Sequence, residues 1–374
     1  MEKKDKTLNV PNLRFPEFSG EWEKEFLGTT CNVLMCKRIL ASQTNAECGV
    51  PFYKIGTIGG APDAYISKEL FESYRAKYNY PRKGEVMITC AGTVGKTMIF
   101  DGEDSYYQDS NIVWIDNPTN KIDNTFLYHL ISKVDWSKLN TTTIVRIYND
   151  DLRQLRISYP TLSEQRKISI FLNLLNQRIE TQKKIIEKYE SLIRGLYHSV
   201  FNQPASTLQL KDVVSVVKGQ QVNGEELLEY GKYYVMNGGT EPSGYLDVCN
   251  TPANTISISE GGNSCGYVQY NTKPFWSGGH CYSLIQKEQS VNYQYLYHFL
   301  KYKERNIMAL RIGSGLPNVQ KKDLERFEIR VLPTKQQNRV AEILADVSAK
   351  CDLEKRILQG WQCQKSYLLH NLFI

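Results

Sequence analysis

The chain contains no run of 18 apolar residues, and its opening Met1-Glu-Lys-Lys-Asp-Lys6 is charged with no apolar stretch behind it. A membrane-spanning helix needs about 20 such residues and a secretory signal needs an apolar centre. Neither is expected, so no membrane partner is expected and the cytoplasm is the expected location. None of the nine cysteines forms a Cys-x-x-Cys pair. Their odd number points to free thiols in a reducing compartment rather than to a disulfide frame or a zinc site. With 374 residues and 41% hydrophobic content, the chain is no disordered polymer. Two or three domains with real cores are expected.

Catalytic constellations are missing too. Ala91-Gly-Thr-Val-Gly-Lys-Thr97 resembles part of a phosphate-binding loop, but the first glycine such a loop requires would fall at Cys90. Its counterpart further on, Gly261-Gly-Asn-Ser-Cys-Gly266, has no lysine, which leaves a glycine turn between strands as the shared element. A free-standing methyltransferase would need Asn-Pro-Pro-aromatic, whereas Asn117-Pro118 is followed by Thr119. The acidic pairs Glu103-Asp104, Asp150-Asp151 and Glu225-Glu226 have no lysine two residues on, the spacing a metal-dependent nuclease commonly uses. No catalytic residue and no metal ligand is therefore assigned, and the chain is not expected to be an enzyme.

What the chain does have is a duplication. Residues 151–201 return at 323–373 with a constant offset of 172: Asp151 and Leu152 become Asp323 and Leu324, Gln165 becomes Gln337, and Leu196, His198 and Phe201 become Leu368, His370 and Phe373. Upstream, Phe126-Leu-Tyr-His-Leu130 matches Tyr295-Leu-Tyr-His-Phe299, so the repeat is a whole domain plus a helix. A period this long implies internal pseudo-two-fold symmetry, which suits a pseudo-symmetric partner. The matched pairs His129 with His298 and His198 with His370 read as packing residues, which leaves His280 as the unmatched histidine.

In the first helical copy Ile168, Leu172, Leu175, Ile179, Gln182, Ile186, Tyr189, Ile193, Leu196 and Val200 keep a 4-3-4-3 spacing, a coiled-coil seam. The second copy carries Val340, Leu344, Val347, Cys351, Glu354, Leu358, Trp361, Lys365, Leu368 and Leu372. Each copy follows a proline, Pro160 or Pro333. A connection of a whole domain lets the helices pair antiparallel. That pairing would bring Gln182 near Glu354, either as a buried polar layer that fixes register or as two residues at the seam's edge.

The expected architecture is α+β: two α/β domains of similar fold separated by two long helices that pair as an antiparallel coiled coil. The boundaries are 1–160, 161–203, 204–333 and 334–374. Strands are expected at Gly84–Thr89 and Asn111–Ile115 and at their counterparts Thr255–Ser259 and Cys281–Ile285. One good helix per domain is expected, at Asn124–Val134 and Asn292–Glu304. Polar loops are expected at Thr141–Ile147 and Gly313–Val319.

The net charge of +6 sits on the helical copies, with 7 basic to 4 acidic residues and 6 to 4, while the globular stretches are near balance at 20 to 20 and 13 to 12. Charge alone thus gives only weak support for nucleic-acid binding.

Two variable domains, each followed by Asp-Leu-x-x-Leu/Phe-x-Ile, then proline, Glu/Gln-Gln and heptads, resemble the specificity subunit of type I restriction-modification systems. The segment Pro11-Asn-Leu-Arg-Phe-Pro-Glu-Phe-Ser-Gly-Glu-Trp22 looks like the leader of many members. The resemblance spans essentially the whole chain. It implies that each globular part is a target-recognition domain reading one half of an asymmetric bipartite sequence in double-stranded DNA. It also implies a non-catalytic chain that recruits two modification subunits, with S-adenosylmethionine, and ATP- and Mg-dependent restriction subunits. The seam of about 33 residues would give a rod of roughly 50 Å, comparable with recognition sites one DNA turn, about 35 Å, apart.

Arg and Lys bond guanine, and Asn and Gln bond adenine. The expected readers are Lys37, Arg38, Gln43, Asn45, Thr93 and Arg146 in the first domain. In the second they are Lys218, Gln220, Gln221, Asn223, Asn263, His280, Arg311 and Asn318. Tyr197, Leu369 and Phe373, read as exposed near the helix ends, are expected docking contacts. The competing reading is a protein-interaction adaptor on the same duplicated scaffold, which salt-dependent retention on DNA would separate.

Overall fold

A computed structural model describes residues 9–138, 146–313, 315 and 317–374. Residues 141–145 of the first expected polar loop, Ser314 and Leu316 of the second, and the charged segment Met1–Lys6 lie outside the described residues. The chain forms two compact units, Met1–Thr181 with Leu358–Ile374, and Gln182–Ile357.

In the first unit the elements are β1 (Glu23–Phe26), β2 (Asn32–Met35), α1 (Lys68–Lys77), β3 (Val86–Thr89), β4 (Thr97–Ile99), β5 (Ile112–Asp116), α2 (Asn124–Ser132), β6 (Arg156–Tyr159) and the first half of α3 (Leu162–Phe201). The main sheet is antiparallel in the order β2-β5-β3-β4, and β1 pairs with β6. The four residues of β3, Val-Met-Ile-Thr, are all buried because both faces of the sheet are covered. With side chains alternating across a strand, Val86, Ile88, Val113 and Ile115 join Phe126 and Leu127 of α2. Met87, Ile112 and Trp114 face a second core with Phe71, Phe100, Tyr106 and Tyr107. A small sheet of the short strands Thr44–Asn45, Tyr65–Ile66, Val50–Tyr53 and Tyr106–Tyr107 completes this second layer.

The second unit repeats the frame with β7 (Ser206–Gln209), β8 (Val214–Lys218), β9 (Thr255–Ser259), β10 (Val268–Asn271), β11 (Cys281–Gln286), α4 (Tyr293–Tyr302), β12 (Glu328–Val331) and the first part of α5 (Thr334–Asn371). Its main sheet runs β8-β11-β9-β10, the same order and sense, and β7 pairs with β12. Ile256, Ile258 and Leu284 pack on Tyr295, Leu296 and Phe299 of α4. The other face is different: Ser257 and Ser283 are buried there, and the Asn271 amide donates to Ser257 Oγ at 2.9 Å.

Both domain helices are capped as their sequences suggest. Asp123 Oδ1 accepts the backbone N–H groups of Thr125 and Phe126 at 3.0 Å, and Asn292 Oδ1 accepts that of Tyr295 at 2.9 Å. The expected helix over 292–304 divides into α4 and a short helix Glu304–Met308. The expectation of one helix per domain fails in the first unit. There α1, capped by Ser67 Oγ accepting from Leu70 N–H at 3.2 Å, buries Phe71 against Tyr80.

The long helices pair antiparallel within each unit. In the first, Ile168, Leu172, Leu175 and Ile179 share a core with Leu358, Trp361 and Leu368. In the second, Gln182 and Ile186 are buried, Leu344 is buried with Val340 beside it, and Val347 and Glu354 are half-buried. The Gln182 amide donates to the Glu354 carbonyl at 3.2 Å and to its carboxylate, so the polar layer belongs to the seam. A residue and its own repeat image thus touch, as the midpoint of an antiparallel pair of equivalent helices requires.

Gln165 and Gln337, both fully buried, do one job twice. Gln165 donates to the carbonyls of Pro160 (2.8 Å) and Lys121 (3.0 Å) and accepts from Asp123 N–H (2.7 Å). Gln337 donates to Leu332 (2.7 Å) and Ser290 (3.3 Å) and accepts from Asn292 N–H (2.8 Å). Each glutamine latches the cap of its domain helix to the root of its long helix.

Of the matched histidines, His129 and His298 are packing residues at 1% and 2% exposure. His198 and His370 are exposed instead, because their positions fall off the seam onto the outer face of α3 and α5. Among the described residues no helix is long and apolar enough to cross a membrane.

Candidate nucleic-acid interface

Antiparallel strands bring distant loops to one edge, and each main sheet has such an edge at the end of its central strand. In the first unit Cys90, just past β3, donates its N–H to Asn111 O at 2.8 Å and accepts from Ile147 N–H at 2.9 Å. Three loops therefore meet there. Arg38 and Arg146 line one cleft of about 430 Å³ with Lys54, Gln108, Asp109 and Asn111. Arg38 is 75% exposed with its Nε 3.6 Å from Asp109. Arg146 Nη2 donates to Ser110 Oγ at 3.2 Å and its guanidinium lies 5.8 Å from the Tyr148 ring. Burial pushes the Cys90 thiol up to about 12, so the floor of this edge stays uncharged.

The other expected readers of this unit lie differently. Lys37 stands 5.5 Å over the Tyr78 ring. Gln43 Oε1 accepts from Leu40 N–H at 2.9 Å, and Asn45 Oδ1 accepts from Glu47 and Cys48 N–H at 2.9 and 3.0 Å, so both side chains hold turns. Thr93 is exposed in the glycine turn and its carbonyl accepts the Thr89 hydroxyl. That turn requires Gly95, with φ of +82° and no room for a Cβ beside Trp136. Lys96, the lysine of the loop that resembled a phosphate cradle, donates to the Ile58 carbonyl.

The second unit builds the same edge from different side chains. Glu260, just past β9, donates its N–H to His280 O at 2.9 Å and accepts from Val319 N–H at 2.8 Å. The stations correspond one to one: Cys90 with Glu260, Asn111 with His280, Ile147 with Val319. The Lys218 ammonium, at the end of β8, donates to Glu260 Oε1 at 2.7 Å, as does the Tyr282 hydroxyl at 2.9 Å. His280 Nδ1 lies 3.9 Å from Oε2 of the same carboxylate. Burial, then the bond to Glu260, pushes the Tyr282 phenol well above its usual range, so it remains a donor. Glu260 itself carried no sequence signal, because its partners are spread over 65 residues of chain from Lys218 to Tyr282.

Asn263 and Arg311 are exposed. Gln221 presses its side chain onto Gly279, and Gln220 accepts the Trp276 indole N–H on its carbonyl at 3.0 Å. Asn223 caps a short turn by accepting from Glu225 N–H at 3.4 Å. Asn318 exchanges both backbone bonds with Ile312 at 2.9 and 3.0 Å, and its Oδ1 accepts from Gln320 at 2.7 Å.

The expected docking residues are not all exposed. Phe373 is 3% exposed, its ring 5.0 Å from Phe126 and 6.5 Å from Trp22, so it belongs to the core of the first unit. Tyr197 and Leu369 are half-buried, and the Tyr197 hydroxyl bonds His298 Nδ1 at 3.1 Å. Each sits one residue past a seam position, Leu196, Leu368 or Leu372, and contacts with the globular bodies cover that face. Exposed apolar side chains lie instead on α3, where Ile170 and Leu174 are 62% and 59% exposed. They flank a groove of about 380 Å³ lined by Phe171, Leu174, Leu175, Arg178, Trp361, Gln364 and Leu368. Among the described residues no group of three His, Cys, Asp or Glu side chains is placed to hold a metal ion.

Residues 19–191 and 203–360 each match the family model described as "Type I restriction modification DNA specificity domain". Over 178 residues, 45% of this chain and 46% of the other, it is 48% identical to a Haemophilus influenzae protein named as a type I restriction enzyme specificity subunit. A Mycoplasma genitalium protein named as a type I specificity subunit is 24% identical over 62% of this chain and 65% of its own length. The chain thus spans about half to two thirds of these relatives. The crystal structure of a type I restriction-modification S subunit from M. genitalium shares the fold with a TM-score of 0.74 at 20% identity, over 98% of this chain and 99% of that one.

Proposed function

This chain belongs to the type I restriction modification DNA specificity family, and on that premise we propose that each globular body reads one half of an asymmetric bipartite DNA target. The observation that carries the proposal is one sheet edge built twice with different chemistry. Arg38 and Arg146 supply planar forks for guanine and phosphate in the first body. Lys218 and His280 stand at the same edge of the second. Two different heads on one frame give a target whose halves differ.

The paired helices act as spacer and assembly surface. At 40 residues α3 is about 60 Å long at about 1.5 Å per residue, enough to span half-sites one DNA turn apart. The exposed face of Ile170, Phe171 and Leu174 is the docking ground we assign to the two modification subunits. Those subunits would carry S-adenosylmethionine and flip the target adenine, and restriction subunits would bring ATP and Mg. This chain contributes recognition rather than catalysis, in the cytoplasm.

The experiment is an exchange of residues 204–333 for the corresponding stretch of another family member, followed by sequencing of methylated sites in cells that hold the modification subunits. One half-site is expected to change completely while the other is retained. A shift of both halves, or of neither, overturns the assignment of one body to one half-site.

A further inference from the structure

We propose that Glu260 is a positioning residue that holds Lys218 and His280 as paired donors for the acceptor edge of a guanine in the half-site read by the second body. The proposal rests on that body being a DNA reader. Its own support is the arrangement around one carboxylate.

Glu260 is 11% exposed at its side chain, while Lys218 and His280 above it are 55% and 60% exposed. Oε1 is occupied by the Lys218 ammonium at 2.7 Å and the Tyr282 hydroxyl at 2.9 Å. Oε2 is shut off from solvent and accepts no hydrogen bond. A buried carboxylate oxygen left in that state is costly. No base can reach an atom closed to solvent, so its donor must come from the protein. The ring nitrogen 3.9 Å away, His280 Nδ1, is the group that fits, needing about 1 Å of closure to reach hydrogen-bond distance. Only the doubly protonated ring donates from both nitrogens, Nδ1 inward to the carboxylate and Nε2 outward to a base.

The loop bearing His280 is held for that role. Its main-chain N–H donates to Asn237 Oδ1 at 3.2 Å, and Gly238, at φ of +87°, leaves only 3.1 Å between His280 Cβ and any Cβ of its own. Guanine is the base that presents two acceptors, O6 and N7, in the major groove. Two cationic or N–H donors side by side over one carboxylate match that edge. At the same stations the first body has Met35, Cys90 and Asn111, without a charge among them. The carboxylate station therefore separates the two heads.

The test uses the full chain with its modification subunits and sequencing of methylated sites. Glu260→Gln keeps the shape and removes the charge. It is expected to lower discrimination against the wrong base about tenfold or more at one position of the second half-site, with the rest of the motif intact. His280→Asn, at an exposed side chain, is expected to relax the same position. Uniform weakening at every site with an unchanged motif, or relaxation spread across the half-site, would overturn the proposal. The exchange of residues 204–333 is the control. If it leaves the half-site unchanged, the reading of the body fails; if it changes the half-site while both variants keep every position, only the role of Glu260 fails.

Discussion

The two bodies share one face of their sheets and differ on the other. On the shared face, β3 and β5 in the first unit and β9 and β11 in the second press aliphatic side chains onto a helix that carries Leu-Tyr-His with its leucine and histidine buried. On the far face the first unit stacks Trp114, Phe71, Phe100, Tyr106 and Tyr107 under α1. At the station of Trp114 the second unit has Ser283, and among its described residues no α-helix lies between β8 and β9. The face that roots the long helices is alike in the two units, and the opposite face differs. If each body reads a half-site as proposed, it can change what it reads while holding its attachment, because the two tasks fall on opposite sides of one sheet.

The strongest way to break this comparison is to truncate the matched pair. Trp114→Ala removes a large, fully buried ring and is expected to cost about 3–5 kcal/mol. Ser283→Ala removes a buried hydroxyl that has no hydrogen-bond partner and is expected to change stability by less than about 1 kcal/mol. Hydrogen exchange of each sheet in the intact chain measures both, and equal losses would refute the contrast.

Acid should act on the shared face in both units. Burial pushes His129 and His298 down to about 4 from 6.5. Between those values the unfolded chain binds a proton that the folded chain refuses, so stability falls as pH drops from 6.5 toward 4. The loss approaches about 3 kcal/mol per histidine. Unfolding monitored against pH should flatten when both are replaced by glutamine, and an unchanged pH slope would remove them as the cause. A smaller effect than that of the histidines is expected at the latches. Gln165→Ala and Gln337→Ala should each cost about 2 kcal/mol, with matching losses of exchange protection at the neighbouring helix caps. Unequal losses would mean that the shared face is less alike than its bonds.

Much of this frame is readable in the chain. The 4-3-4-3 spacing marks α3 and α5, and the strand and helix signals at matching offsets mark the sheets. The duplicated Gln165 and Gln337 mark a position that matters, although their latch geometry emerges only once the domain helices are docked. The second face was hidden for a physical reason: its strands are as short as two residues, too short for an alternating pattern. Helix α1 is different, since Ser67 followed by Leu70, Phe71 and Tyr74 is a capped amphipathic signal within reach of sequence reasoning. Arg38 and Arg146, expected from the sequence, line one cleft at the sheet edge of the first unit. Glu260 was not expected, because a lone acid in a turn acquires its meaning from partners that folding brings to it.

The contact between Gln182 and Glu354 also bears on which helices pair. Two copies of α5 from different chains, set antiparallel in the same register, would place Glu354 against Glu354, a like-charge pair at a half-buried position. Pairing α3 with α5 of the same chain sets an amide against the carboxylate and satisfies both. The drift of the repeat at its own centre thus favours pairing of α3 with α5 over pairing of two copies of α5.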